Sequence, residues 1–158
     1  MKKTSFILIC IFALSLMLNA QSSVLNTGDA DLDEALTEIN EEAKVDMDKF
    51  VSDTADQYDK PVEEIEGLLE DENMEPSDVV MALETSEVSK KSLKKVVKTY
   101  KSQKSKGWGL IAKKMGIKPG SEKFAQLKEK VKTKNEKMKK DKTDKEKGDS
   151  ESKDKSDE

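Results

Sequence analysis

An all-α fold is predicted for this chain by three observations. Where apolar residues form a pattern they recur at steps of three and four, the spacing of one face of a helix. The prolines Pro61, Pro76 and Pro119 stand only where such patterns begin or end. No stretch alternates apolar with polar residues as a half-buried strand would.

The first segment is a targeting signal rather than part of the fold. Lys2 and Lys3 precede an apolar run over residues 6–18 broken only by Ser15, and the small residue Ala20 followed by Gln21 marks the cleavage position. The run is well short of the ~20 residues that a membrane-spanning helix needs. Residues 1–20 are therefore expected to be a cleaved secretory signal peptide, and the protein to be secreted or periplasmic. Cys10 lies inside the run and not at its end after small residues, which argues against lipid attachment. It is the only cysteine, so the mature chain would have no thiol or disulfide chemistry.

Residues 21–60 read as a polar leader and one long acidic helix. Leu32, Leu36, Ile39, Ala43, Met47, Phe50, Thr54 and Tyr58 make a single stripe of about seven turns. Asp29, Asp31, Asp33 and Glu34 crowd its first turn, where the helix dipole favours negative charge. Residues 61–138 read as a small helical domain. Pro61 ends the first helix and suits the start of a second, with Val62, Ile65, Leu68 and Leu69 on one face. Pro76 opens a third, carrying Asp78 in its first turn and then Val79, Val80 and Leu83. A basic helix over residues 89–104 turns Leu93, Val96, Val97 and Tyr100 inward and its lysines outward.

Gly107 and Gly109 then flank the only tryptophan, Trp108, before a short helix over residues 110–115 that Gly116 ends. Ile117, Lys118, Pro119 and Gly120 form a turn, and Ser121 caps a last helix carrying Phe124, Leu127, Val131 and Met138. The widening gaps in that stripe predict fraying past about Val131. Residues 139–158 are Lys, Asp, Glu and Ser with almost nothing else, too polar to offset the entropy of ordering, and are expected to be a disordered tail.

Charge is sorted along the chain. Residues 21–88 hold 22 acids against 3 lysines, a net of −19, whereas residues 89–140 hold 19 lysines against 3 acids, a net of +16. Such asymmetry implies attraction between the halves or to oppositely charged partners. A solvated face accounts for most of the lysines, with pairing onto the acidic helix and attraction to an anionic surface as further uses.

Every basic residue is a lysine, and histidine and arginine are absent. Imidazole and thiolate metal sites and Ser-His or Cys-His nucleophile pairs are thereby excluded from the mature chain. The bidentate fork for phosphate, carboxylate or guanine is missing as well. No spacing favours a carboxylate pair or a Ser-Lys pair, so a non-enzyme without a cofactor is expected, with no catalytic, cofactor-binding or metal residues to assign.

Three constellations remain. Asp29, Asp31 and Asp33 alternate as the first ligands of a calcium loop would, but the sixth and twelfth places hold Glu34 and Asn40 in place of Gly and Glu. At most, weak nonspecific calcium binding follows. Residues 111–117 with Ser121 to Phe124 resemble a helix-turn-helix, in which Ala112 packs between helices and Gly116 makes the turn. The insertion of Lys118, Pro119 and Gly120, and Glu122 where an apolar residue belongs, depart from that pattern. Lysine alone would supply salt-sensitive phosphate attraction and not sequence readout. Nucleic-acid binding is thus the alternative should the signal peptide be misread.

The third constellation is Gly107-Trp108-Gly109-Leu110-Ile111-Ala112, running on to Lys118-Pro119-Gly120-Ser121. It resembles a G-W-G-x-I-A-K-x-x-G-[IV]-x-P-G-S segment of uncharacterised small secreted or periplasmic bacterial proteins. The resemblance implies the compartment and a helical fold, and no activity. Trp108 between two glycines reads either as a core anchor at a helix corner or as an exposed docking residue. In the second case Trp108, Gly107, Gly109 and Ile111 are the candidate partner-binding residues. The expected function is association with a protein or an anionic envelope component. The narrow stripe of the first helix would also suit antiparallel self-association.

Overall fold

The computed structural model describes the backbone of residues 25–151 and the side chains of residues 25–140. The proposed signal segment with Ala20 and Gln21, the leader up to Val24, and residues 152–158 of the expected tail lie outside the described residues. The fold is all-α, with no strand among the described residues. The helices are α1 (Ala30–Val45), α2 (Met47–Gln57), α3 (Val62–Glu70), α4 (Pro76–Ser89), α5 (Leu93–Gln103), α6 (Trp108–Lys114) and α7 (Glu122–Glu151), with a 3-10 turn at Lys104–Lys106 before α6.

The architecture is organised around α4. Its run of Val79, Val80, Met81, Ala82 and Leu83 is apolar around the whole circumference, and such a helix must be enclosed. Helices α1, α3, α5 and α7 all pack on it, and every residue from Ser77 to Thr85 is buried. Enclosure leaves the amides at its N-terminus away from water, so side chains satisfy them. Asn40 of α1 accepts the Ser77 N–H at 2.8 Å and donates to Glu75 at 2.7 Å. Glu75 and Asp78 complete a reciprocal capping box, and Pro76 occupies the position where no N–H is needed.

The acidic stretch forms two helices, not the single one its stripe predicts. Asp46 leaves helical geometry (φ −152°, ψ 84°), and its carboxylate accepts the Lys49 N–H at 3.1 Å as the N-cap of α2. A short acceptor of this kind competes with helix continuation by offering the backbone another bond. Helix α1 lies on α7 and α4 while α2 packs on α3. The break also turns Met47, an inward residue of the predicted stripe, out to solvent beside Val45.

One apolar cluster draws on all seven helices, among them Leu36 and Ile39 of α1, Phe50 of α2, Ile65 of α3, Val96 of α5, Ile111 of α6 and Leu127 of α7. Leu32, Leu36 and Ile39 have no exposed surface, so the stripe that would support self-association of the first helix is spent within the chain. Helix α7 extends well past Val131. Met138 still packs on the core, and Asn135 and Lys139 both bond Glu38 of α1.

Candidate functional site

The candidate docking residues lie inside the molecule. Trp108 is 1% exposed and Ile111 fully buried, so neither can present a surface to a partner. The glycines serve an internal approach. The Trp108 N–H donates to the Leu25 carbonyl at 2.8 Å and the Gly109 N–H to the Asn26 carbonyl at 3.0 Å. The described end of the leader thus crosses the start of α6 and satisfies its first amides. A Cβ on Gly109 would stand 2.6 Å from the Thr27 carbonyl oxygen, and one on Gly107, whose φ is +81°, 2.7 Å from Asn26 Cβ. Only glycine admits that contact at both positions.

The side chain of Trp108 completes a closed polar centre. Its indole N–H donates to Asp78 Oδ1 at 2.7 Å and the Tyr100 hydroxyl to Oδ2 at 2.6 Å, with the two rings stacked at 5.4 Å. Asp78 also accepts the Glu75 N–H at 3.2 Å, which meets the rule that a buried carboxylate must be hydrogen-bonded. Burial, and after it the bond to Asp78, pushes the Tyr100 hydroxyl well above the usual tyrosine range. A second buried acid, Glu84, accepts the Tyr58 hydroxyl at 2.6 Å and faces Lys130 Nζ at 3.2 Å. Tyr58 is likewise raised, by burial first and then by the Glu84 charge. The two acids lie six residues apart on α4, about 120° around the helix, in separate closed clusters.

The three aspartates at the start of α1 do three different things. Asp29 caps the helix by accepting the Leu32 N–H at 3.0 Å, and Asp33 accepts the Thr27 N–H at 2.9 Å. Lys128 of α7 bridges Asp29 at 2.8 Å and Asp31 at 3.0 Å. These bonds to Lys128 are the leading cause of the lowered pKa of both acids. Among the described residues no group of three or more acids converges as a cation site would require.

The helix-turn-helix resemblance does not translate into a packed pair. Helix α6 packs on α5, whereas α7 packs on α1 and α4. Ser121 does cap α7, accepting the Phe124 N–H at 3.2 Å.

Exposed lysines are among the groups that remain open to a partner. Four lysines of α7 meet carboxylates: Lys128 and Lys132 reach Asp31, Lys130 reaches Glu84 and Glu87, and Lys139 reaches Glu38. Five lysines of α5 and α6 differ. Lys94, Lys95, Lys98, Lys113 and Lys114 are exposed, and none meets a carboxylate among the described residues. No described helix is long and apolar enough to cross a membrane. Comparison of the chain with family models, with curated protein sequences and with solved structures found no match.

Proposed function

We propose that the protein is secreted or periplasmic and acts by non-catalytic association, its exposed lysines on α5 and α6 attracting an anionic protein or envelope component. The observation that carries this reading is the division among the lysines. Lys128, Lys130, Lys132 and Lys139 of α7 and Lys101 of α5 meet carboxylates, while Lys94, Lys95, Lys98, Lys113 and Lys114 are exposed without one among the described residues. Unmatched exposed charge contributes little to stability but steers association with opposite charge.

The compartment rests on Lys2, Lys3, the apolar run over residues 6–18 and Ala20. Intact mass of the native protein from separated cytoplasm, periplasm and medium tests it. A mass beginning at Gln21 outside the cytoplasm is expected; a full chain from Met1 in the cytoplasm overturns it and makes duplex DNA the next ligand to titrate. Association is tested by capture from envelope extract with residues 21–158. A partner released by salt, and lost with Lys94→Glu/Lys95→Glu/Lys98→Glu, is the expected result. Recovery of nothing salt-sensitive sinks the proposal.

A further inference from the structure

The stretch from residue 89 to residue 121 holds 11 lysines and no acid. Ten of the 11 are exposed, and Lys104, half-buried, donates to the Asn73 carbonyl at 3.2 Å. Only Lys101 of the stretch meets a carboxylate among the described residues, that of Glu72 at 2.6 Å. On α5, Lys94, Lys95, Lys98 and Lys101 fall within about 120° of one another, on the side away from Val96, Val97 and Tyr100.

This surface is built from charge alone. The exposed bulky apolar residues of the described chain are Val45, Met47 and Val62, and none of them lies in the stretch. A specific protein interface takes most of its energy from aromatic or arginine anchors seated in pockets, and this surface offers neither. Lysine is a compact charge on a flexible stem, without the fork that reads the geometry of a single carboxylate or phosphate. Such a surface responds to the density of negative charge and not to a partner's shape.

The leader brings the same surface to a bilayer. The carbonyls of Leu25 and Asn26 bond Trp108 and Gly109, between the exposed Lys106 and Lys113. Six residues, 19–24, separate Leu25 from the apolar run over residues 6–18. Fully extended, that connection reaches about 25 Å at most. While the run is held in the bilayer before cleavage, the start of α6 is therefore kept within that distance of the headgroups.

We infer that the lysine surface of residues 89–121 docks the protein on an anionic lipid bilayer, its ammonium groups meeting headgroup phosphates without inserting side chains among the acyl chains. The inference rests on the association and compartment proposed above and names the partner. The mature chain has 27 lysines against 33 acids, a net of −6. An anionic surface repels that total and attracts only this face, so docking is oriented, with α5 and α6 toward lipid.

The test is co-sedimentation of residues 21–158 with vesicles of one part phosphatidylglycerol to two parts phosphatidylcholine, and with phosphatidylcholine alone. Binding to the anionic vesicles only is expected at about 0.1 M salt, and its loss at about 1 M, where the Debye length falls to about 3 Å. Each lysine at an anionic surface is worth about fivefold in affinity, so Lys113→Gln/Lys114→Gln should weaken binding by at least about tenfold. Lys44→Gln/Lys60→Gln removes the same charge from the acidic half and should leave binding near wild type. The mature chain has no thiol, so a single cysteine can carry a fluorophore. Placed by Ser105→Cys, beside Lys106, it should respond to the vesicles; placed by Ser52→Cys on α2, it should not. Equal loss in the two lysine pairs, or an equal response at the two labels, means that no particular face docks and overturns the inference. Equal binding to phosphatidylcholine overturns it, as does full displacement by soluble polyphosphate at equal phosphate concentration, which gives the lysines to a free polyanion. Failure to bind the anionic vesicles overturns it too. A partner protein captured from extract and released by salt then leaves the association reading standing, and recovery of nothing salt-sensitive removes both.

Discussion

Three donors from distant parts of the chain, the Glu75 amide, the Tyr100 hydroxyl and the Trp108 indole, converge on the two oxygens of Asp78. Replacing Asp78 by alanine would leave the hydroxyl and the indole N–H buried without acceptors, at about 1–3 kcal/mol each. It would also weaken the cap of α4, worth about 1 kcal/mol. Urea unfolding of Asp78→Ala should show a loss of about 3–7 kcal/mol, a large part of the total for a small domain; an unchanged midpoint would refute the account. Tyr100→Phe removes one bond only and should cost about 1–2 kcal/mol. The tyrosines also fix a pH response. Both hydroxyls titrate above their ordinary value, chiefly through burial, so unfolded tyrosine ionises first. Their contribution is complete below about pH 10 and is lost as pH rises beyond it. Phenolate absorbance should appear together with loss of helical circular dichroism, and phenolate in a still-helical protein near pH 10 would contradict this. Little of this centre was legible beforehand. Asp78 read as a first-turn acid, because Glu75 three residues earlier is not among the residues that mark a capping box in sequence. The partners of Gly107 and Gly109 lie some eighty residues away at Asn26 and Thr27, and no local pattern carries so distant a contact.

Among the elements, the helices that prolines open were legible almost to the residue, because a fixed φ and a missing N–H act locally. The interruption at Asp46 was not. Ala43 and Phe50 are seven residues apart, two nearly whole turns, so the stripe stays in phase across the break and cannot report it. Periodicity registers which face is apolar, and α1 and α2 bury the same face against different neighbours. The cap that starts α2 can be tested. Asp46→Ala removes the acceptor of the Lys49 N–H and should cost about 1 kcal/mol in urea unfolding. Helical circular dichroism should stay unchanged, since Phe50 and Val51 remain buried with α2 on α3. A gain in both stability and helicity would mean that the chain prefers one continuous helix. Helix α7 taught the converse lesson. Its sparse stripe implied early fraying, but Met138, Asn135 and Lys139 continue to hold it beside α1 through contacts that α1 supplies.

At the scale of the whole molecule, the separation of −19 from +16 along the chain becomes contact between helices distant in sequence. The segregation was plain in the sequence, but which lysines would find carboxylates depended on packing. Helix α7 lies against α1 and takes its acids; α5 packs through its apolar face and keeps Lys94, Lys95 and Lys98 in solvent, while its Lys101 meets Glu72. Each exposed pair contributes little alone. Together they favour one alignment of α1 on α7 over wrong ones, because a slipped register would separate every pair at once. The lowered pKa values of Asp29, Asp31 and Glu38 make the alignment sensitive to acid. For Asp29 and Asp31 the first cause is the bond to Lys128, and for Glu38 the bond to Lys139. A carboxylate whose folded pKa is depressed stabilises the fold above its unfolded value and loses that contribution as pH falls through the folded one. Stability measured by urea unfolding should therefore hold near neutrality and decline progressively below about pH 4. In Lys128→Gln the folded values of Asp29 and Asp31 return toward ordinary, so the decline should be shallower and begin from lower stability at neutral pH. Salt near 1 M shortens the Debye length to about 3 Å and should narrow the difference between the two proteins. An acid profile identical in Lys128→Gln and wild type would show that the pairs between α1 and α7 do not hold the two halves together. The apolar seam of Leu32, Leu36, Ile39, Leu127 and Val131 would then carry the contact alone.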